Sequence, residues 1–272
     1  MPQSSDSIEL EALLARFEAC GGTDVPYLKA HFPRYLQTKQ RLLAHWDRAK
    51  GNRVLDVGAH WLHQAALYAT DRFEVTALDL PTTFALPYVR AIADAHSIHL
   101  LSNPDLEKPS ALTVLPDDSF DLILFTEIIE HLPFNPVAMW RELYRVLRPG
   151  GRIVITTPNY YALRNLVRGV RQFARGHGGG VGIESILHEH TLAHHWKEYS
   201  LRELRAYFAM LSSDFRCMHG AYVDQFKPTA LTGWRKSSVQ LIERAIALLR
   251  PGLYVEVELV NKQAGIIVET HW

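Results

Sequence analysis

Apolar residues along this chain switch repeatedly between two periods. The runs Arg53–Val57 and Glu74–Asp79 read as strands, and a short run at 98–101 as another. FDLILF at 120–125 is continuously apolar, as expected of a strand buried on both faces of a parallel sheet. Helical patterns fall between them at 60–70 and 88–96. Val137, Trp140, Leu143 and Leu147 recur at three- and four-residue steps, an amphipathic helix that RPGG breaks before RIVITT begins a further strand. The stretch 106–119 reads as loop, with part of it open to helix. Alternation at this period predicts a parallel sheet with helices on both sides.

The flanks follow other rules. Asp6 and Glu9 are spaced as a capping box ahead of Leu13, Leu14 and Phe17, and Gly21-Gly22 ends that helix. A second helix is expected over much of 27–50, stopped by Gly51-Asn52. Past Pro158 the rhythm changes to a basic helix-like stretch, the tract Gly178-Gly179-Gly180 and a cluster of histidines. Ser200 and Glu203 form another capping box, opening a helix with Leu201, Leu204, Phe208 and Leu211 on its buried stripe. A last helix is expected over 237–249 (Val239, Ile242, Ile246, Leu249), with strands near Phe215 and at 255–260 and 265–269. The organisation is a helical extension at 1–50 and one α/β domain at 51–272, interrupted by an insertion at about 159–199.

Composition narrows the classes. Of 272 residues, 47% are apolar, enough for a sizeable core, and 29 bases balance 29 acids, which weighs against a nucleic-acid partner. Cys20 and Cys217 are far apart and form no metal or redox pattern, so a reducing, cytoplasmic setting is expected. The first residues carry acids where a signal peptide carries bases, and no run approaches the ~20 apolar residues of a membrane span.

VLDVG at 54–58, Asp79, LPDDSFDLILFTEIIEHL and YRVLRPGGRIVITTPN stand in an order and spacing that resembles class I S-adenosylmethionine-dependent methyltransferases, in their ubiquinone-type, type 11-like small-molecule branch. The resemblance spans roughly residues 50 to 215. It implies a Rossmann-like, doubly wound, mostly parallel seven-stranded sheet, with S-adenosylmethionine as cofactor and the insertion on the acceptor side. Asp56, Gly58, Asp79, Thr126 and Glu127 fall at carboxyl ends of strands, where open parallel sheets bind ligands. Gly58 would let the backbone approach the methionine part of the cofactor. By resemblance Asp79, with Leu80 beside it, takes the ribose hydroxyls, Asp105-Leu106 meets adenine and Thr126 lines the methionine. Asp79 as a cap of the next turn, and Asp105-Leu106 as plain loop, stay open.

The family favours D-x-G-x-G-x-G, whereas the three glycine slots here hold Gly58, His60 and Leu62. Either His60 and Trp61 border the cofactor or acceptor pocket, or both pack against the N-terminal helices. TEIIEHL would place Glu127, Glu130 and His131 on one helical face. Relatives with E-x-x-E-H and a later histidine bind a cation, and HWKEYSLREL resembles the segment carrying that last ligand. This maps a Mg²⁺, Mn²⁺ or Zn²⁺ site onto Glu127, Glu130, His131 and His195. Without a metal, Glu127 and His131 remain the catalytic candidates, His131 as general base. His188, His190 and His194 read as loop or lid. Arg164, Arg168, Arg171 and Arg175 fall at helical spacing, as an anion-recognising stripe or a solvated face. Tyr160 and Tyr161 are pocket walls or core.

The function expected is O-methylation of a small-molecule or glycan hydroxyl, with a homodimer left open. Its rivals are a silent binding module, an RNA methyltransferase, and a nicotinamide oxidoreductase, whose G-x-G-x-x-G is absent.

Overall fold

The computed structural model describes residues 5–22, 25–224 and 233–269. Helices α1 (Ser5–Ala19) and α2 (Val25–Leu43) precede β1 (Arg53–Val57). In chain order there follow α3 (His63–Thr70), β2 (Glu74–Asp79), α4 (Pro81–Phe84), α5 (Pro87–His96), β3 (His99–Ser102), α6 (Ser110–Thr113) and β4 (Phe120–Thr126). Next come α7 (Val137–Val146), β5 (Leu147–Pro158), α8 (Leu163–Ala174), α9 (Ile183–His188) and α10 (Leu201–Leu211). The chain closes with β6 (Phe215–Val223), α11 (Gly233–Ala245) and β7 (Gly252–Leu259). The strands form a single sheet in the order β3-β2-β1-β4-β5-β7-β6. The first five run parallel, and β7 lies antiparallel between β5 and β6.

Side chains alternate across the sheet, and each face has its own core. Val54, Val75, Leu122 and Val154 share one with Leu13, Phe17, Leu28 and Phe32, so the N-terminal helices are built into the domain. Leu55, Ile123, Phe125 and Ile153 face the other, with Trp140, Leu204 and Phe208. Trp140 is fully buried, edge-on to Phe208, and its indole N–H donates to the Tyr207 hydroxyl at 2.6 Å. Burial of such a ring contributes about 3 kcal/mol.

Several boundaries differ from expectation for local reasons. Asp6 sits inside the first turn of α1 rather than capping it. The helix expected over 60–70 begins only at His63, because Leu62 is left-handed. The one expected over 27–50 starts at Val25 and stops at Leu43, with a short 3₁₀ turn at Arg48–Lys50. The helix expected over 237–249 runs Gly233–Ala245, because Ile246 is extended and only a 3₁₀ turn follows. Residues 265–269 form no strand; Ile266 and Val268 pack on the core, and Ile267 N–H donates to Leu211 O. The box at Ser200 and Glu203 forms as expected. No described helix is long and apolar enough to cross a membrane.

Candidate active site

The strand order reverses between β1 and β4, which opens a crevice at their carboxyl ends. The turn leaving β1 lies there. Gly58, His60 and Leu62 all adopt positive φ, at 72°, 47° and 65°. Two of these three left-handed positions therefore carry a side chain. A left-handed residue with a Cβ costs roughly 1–2 kcal/mol. Leu62 offsets this by complete burial, while His60 stays exposed, its ring tilted against Trp61 with centroids 3.9 Å apart. Tyr27 of α2 meets Trp61 edge-on at 5.3 Å and lies 5.8 Å from His60. Both residues thus pack against the N-terminal helices. Gly58 has two reasons to lack a side chain: its φ, and Ile128, whose Cδ1 would collide with a Cβ there.

Around this turn the polar groups divide into satisfied and unsatisfied. Asp79 accepts from His60 N–H and Leu80 N–H, each at 2.6 Å, and from the Thr83 hydroxyl at 2.9 Å. It does cap the next turn, yet Oδ2, which accepts only from His60 N–H, retains acceptor capacity. Asn103 N–H donates to Asp79 O, which brings Asp105 and the half-buried Leu106 to the same edge; Asp105 Oδ1 is held by Glu107 N–H. Asp56 is buried, and burial, then the nearby Asp79 charge, push its carboxyl up to about 8. The Thr126 hydroxyl donates to Gln64 Oε1 at 3.3 Å. Asp56 Oδ2 and Gln64 Nε2 have no hydrogen-bond partner among the described residues.

Beyond β4 the expected helix face does not form. Glu127 is left-handed at φ 56°, Ile128 is neither helical nor extended at φ −121° and ψ −41°, and only Ile129–His131 makes a 3₁₀ turn. Glu127 consequently departs from the other two and pairs with Arg34 of α2 at 3.0 Å. Glu130 turns fully inward, accepts from the Thr157 hydroxyl at 2.9 Å, and lies 3.9 Å from His131 Nε2. His195 completes the group, its ring edge-on to His131 at 4.7 Å. Three of the four expected ligands thus share a cluster whose candidate ligand atoms lie within 4.8 Å of one another; Glu127 is outside it.

The insertion is pinned where it begins and ends. Asn159 bridges to Tyr199, and Tyr160 N–H donates to Tyr199 O. Trp196 N–H donates to Glu130 O, which seats His195 at the cluster. His131 Nδ1 faces His194 O at 3.0 Å, and His195 Nδ1 faces Glu198 Oε1 at 3.3 Å. His194 is buried, its Nε2 held by Ser185 O, His190 caps Leu192 N–H, and His188 is exposed. Tyr160 and Tyr161 are exposed rather than core. A cavity of about 660 Å³ lies within the insertion, bordered by Tyr160, Leu166, Arg168, His195 and Glu198. It adjoins the His–Glu cluster, and the residues at the end of β1 do not line it.

A family model for a methyltransferase domain matches residues 27–208. The chain belongs to the class I S-adenosylmethionine-dependent methyltransferases. The chain is 30% identical over 151 residues to the ubiquinone biosynthesis O-methyltransferase of Xanthomonas oryzae pv. oryzae, covering 55% of this chain and 56% of that one. The chain therefore spans about half the length of the curated relatives it matches. Phosphoethanolamine N-methyltransferase 3 of Arabidopsis thaliana is 28% identical over 122 residues, 44% of this chain and 24% of its own. Among solved structures, a chain of the complex holding the Haloferax volcanii Trm112 methyltransferase activator has a TM-score of 0.57 at 17% identity, covering 86% of this chain and 94% of that one. The PH0226 protein of Pyrococcus horikoshii OT3 reaches 0.53 at 15%, covering 84% and 91%. These two share the fold.

Sequence reasoning passed over Arg34, Gln64, Thr157 and Glu198. Arg34 lies far from the motifs and carries no local signal. Glu198 stands three residues after His195, a spacing that could have flagged it.

Proposed function

We propose that this methyltransferase places a methyl group on a hydroxyl oxygen of a small molecule or glycan, held beside Glu130, His131 and His195. The residues around β1 suit S-adenosylmethionine. Asp56 Oδ2 is a buried acceptor and Gln64 Nε2 a buried donor, complementary to an ammonium and a carboxylate. Gly58, His60 and Thr126 would border the methionine portion, Asp79 and Leu80 the ribose, and Asp105 and Leu106 the adenine. When bound, the cofactor supplies a sulfonium methyl as electrophile. The chain's part is mostly alignment, which can lower such a barrier by about 7–11 kcal/mol.

One observation carries the preference for oxygen: two imidazoles have Nδ1 tied to acceptors beside a buried carboxylate. Nδ1–H donation to His194 O leaves His131 Nε2 as a lone pair. That lone pair would let His131 Nε2 take the proton of an acceptor hydroxyl as its oxygen becomes methylated. Glu127 acts differently from the notional catalytic partner, as a positioning residue that ties α2 across the crevice through Arg34.

The test is transfer of labelled methyl from S-adenosylmethionine to a panel of phenols, catechols, sugars and amines. His131→Gln is expected to lose ~100-fold or more in kcat while S-adenosylhomocysteine still raises the thermal midpoint. Undiminished turnover in that variant, or methyl recovered on nitrogen, overturns the reading.

The same cluster favours a second reading. Its compactness and its Nδ1 tethers match the outer-shell support typical of metal-binding histidines. Glu130, His131 and His195 would hold Mg²⁺, Mn²⁺ or Zn²⁺, which would supply Lewis acidity to the acceptor hydroxyl. His131 would then be a ligand rather than a base. Exhaustive chelation leaves turnover intact on the first reading and abolishes it on the second.

A further inference from the structure

The insertion presents a surface that the transfer reaction does not use. Along α8, Leu163, Leu166, Val167, Val170, Phe173 and Ala174 fall within one stripe at helical spacing. None of the residues of α8 is buried. Phe173 is 86% and Val170 70% exposed, whereas apolar residues of α7 and α10 face the core. Arg164, Arg168, Arg171 and Arg175 form a second stripe that flanks the first rather than opposing it. Residues 163–183 hold these four arginines and no acid, in a chain whose charges cancel over its whole length. Across the cavity, α9 adds Ile183 and Leu187, both more than two-thirds exposed.

An apolar stripe with cations along its border matches an interface between acyl chains and anionic headgroups. Twelve residues give a rod of roughly 18 Å, too short to span a bilayer but able to lie in its surface. A solvated helix needs no apolar stripe, and a core helix would have buried one. We propose that α8 seats the insertion on an anionic lipid surface, with Phe173 and Val170 entering the acyl boundary and the arginines at the headgroups. Leu166, Arg168 and Val170 also border the cavity that reaches His195, so the seated face opens beside the acceptor cluster. This inference goes beyond the transfer reaction and does not depend on it.

The experiment is co-sedimentation of the full chain with vesicles of phosphatidylglycerol and phosphatidylcholine, compared with phosphatidylcholine alone. Binding to the anionic vesicles is expected, weakening as salt rises from about 0.1 to 0.5 M. Phe173→Asp should lower partitioning about tenfold, and Arg171→Glu or Arg175→Glu roughly fivefold each or more. All three side chains are exposed and outside the cavity lining, so circular dichroism and the shift in thermal midpoint with S-adenosylhomocysteine should be unchanged. Failure to pellet with anionic vesicles overturns the proposal. A dimer in sedimentation velocity that Phe173→Asp dissolves, without vesicle binding, would instead assign the face to a second copy of the chain.

Discussion

His60 and Leu62 show how a conformation can outlast the residue type that usually permits it. Both are left-handed, and they should answer to glycine with opposite signs. His60→Gly relieves backbone strain at an exposed position and is expected to gain about 0.5–1 kcal/mol, or roughly 1–3 °C in thermal midpoint. Leu62→Gly relieves similar strain but empties a fully buried site, for a net loss of about 2–4 kcal/mol. Urea titration of the two variants checks both. Asp56 predicts a pH dependence. The folded state keeps its proton up to about pH 8, whereas the unfolded chain releases it near 3.8, so stability falls as pH rises through that window. Asp56→Asn should flatten that decline, raising the thermal midpoint by a few degrees at pH 8 and little at pH 4. A midpoint difference that ignores pH would contradict the assignment. Positions in this turn were legible in the sequence because strand-end motifs mark them. Their dihedral angles were not, because neighbouring strands impose left-handed backbone on His60 regardless of its own preference.

At the scale of elements, long periodic segments were read correctly because burial enforces their period. The first six of the seven positions of β4 are buried, as the unbroken apolar run requires. Junctions were less legible. Glu127, Glu130 and His131 have helical spacing, yet one left-handed residue sends Glu127 away from the cluster. Its partner, Arg34, belongs to α2, ninety-three residues earlier in the chain, and only the tertiary fold brings them together. This pair is largely withdrawn from water and ties the helical extension to the crevice. Arg34→Ala and Glu127→Ala should each destabilise by about 2–4 kcal/mol, since each strands its partner. A double-mutant cycle should return a coupling on the order of 1–3 kcal/mol by chemical denaturation. Additive losses would show that the two act independently.

At the scale of the molecule, architecture was the most legible feature, because alternating strands and helices admit few topologies. The path of the insertion was not. Nothing local announces that Asn159 and Tyr199 meet, or that Trp196 returns to Glu130, yet these contacts carry His195 to the cluster. The placement of β7 has a separate consequence, for the order of assembly. Strand β6 leaves the ribosome first but pairs only with β7, which in turn joins β6 to β5. During synthesis the outer rim of β5 therefore stays bare until about thirty more residues have emerged past β6. The five parallel strands can form early, but the closing pair must dock as a unit, so maturation of the sheet waits on β7.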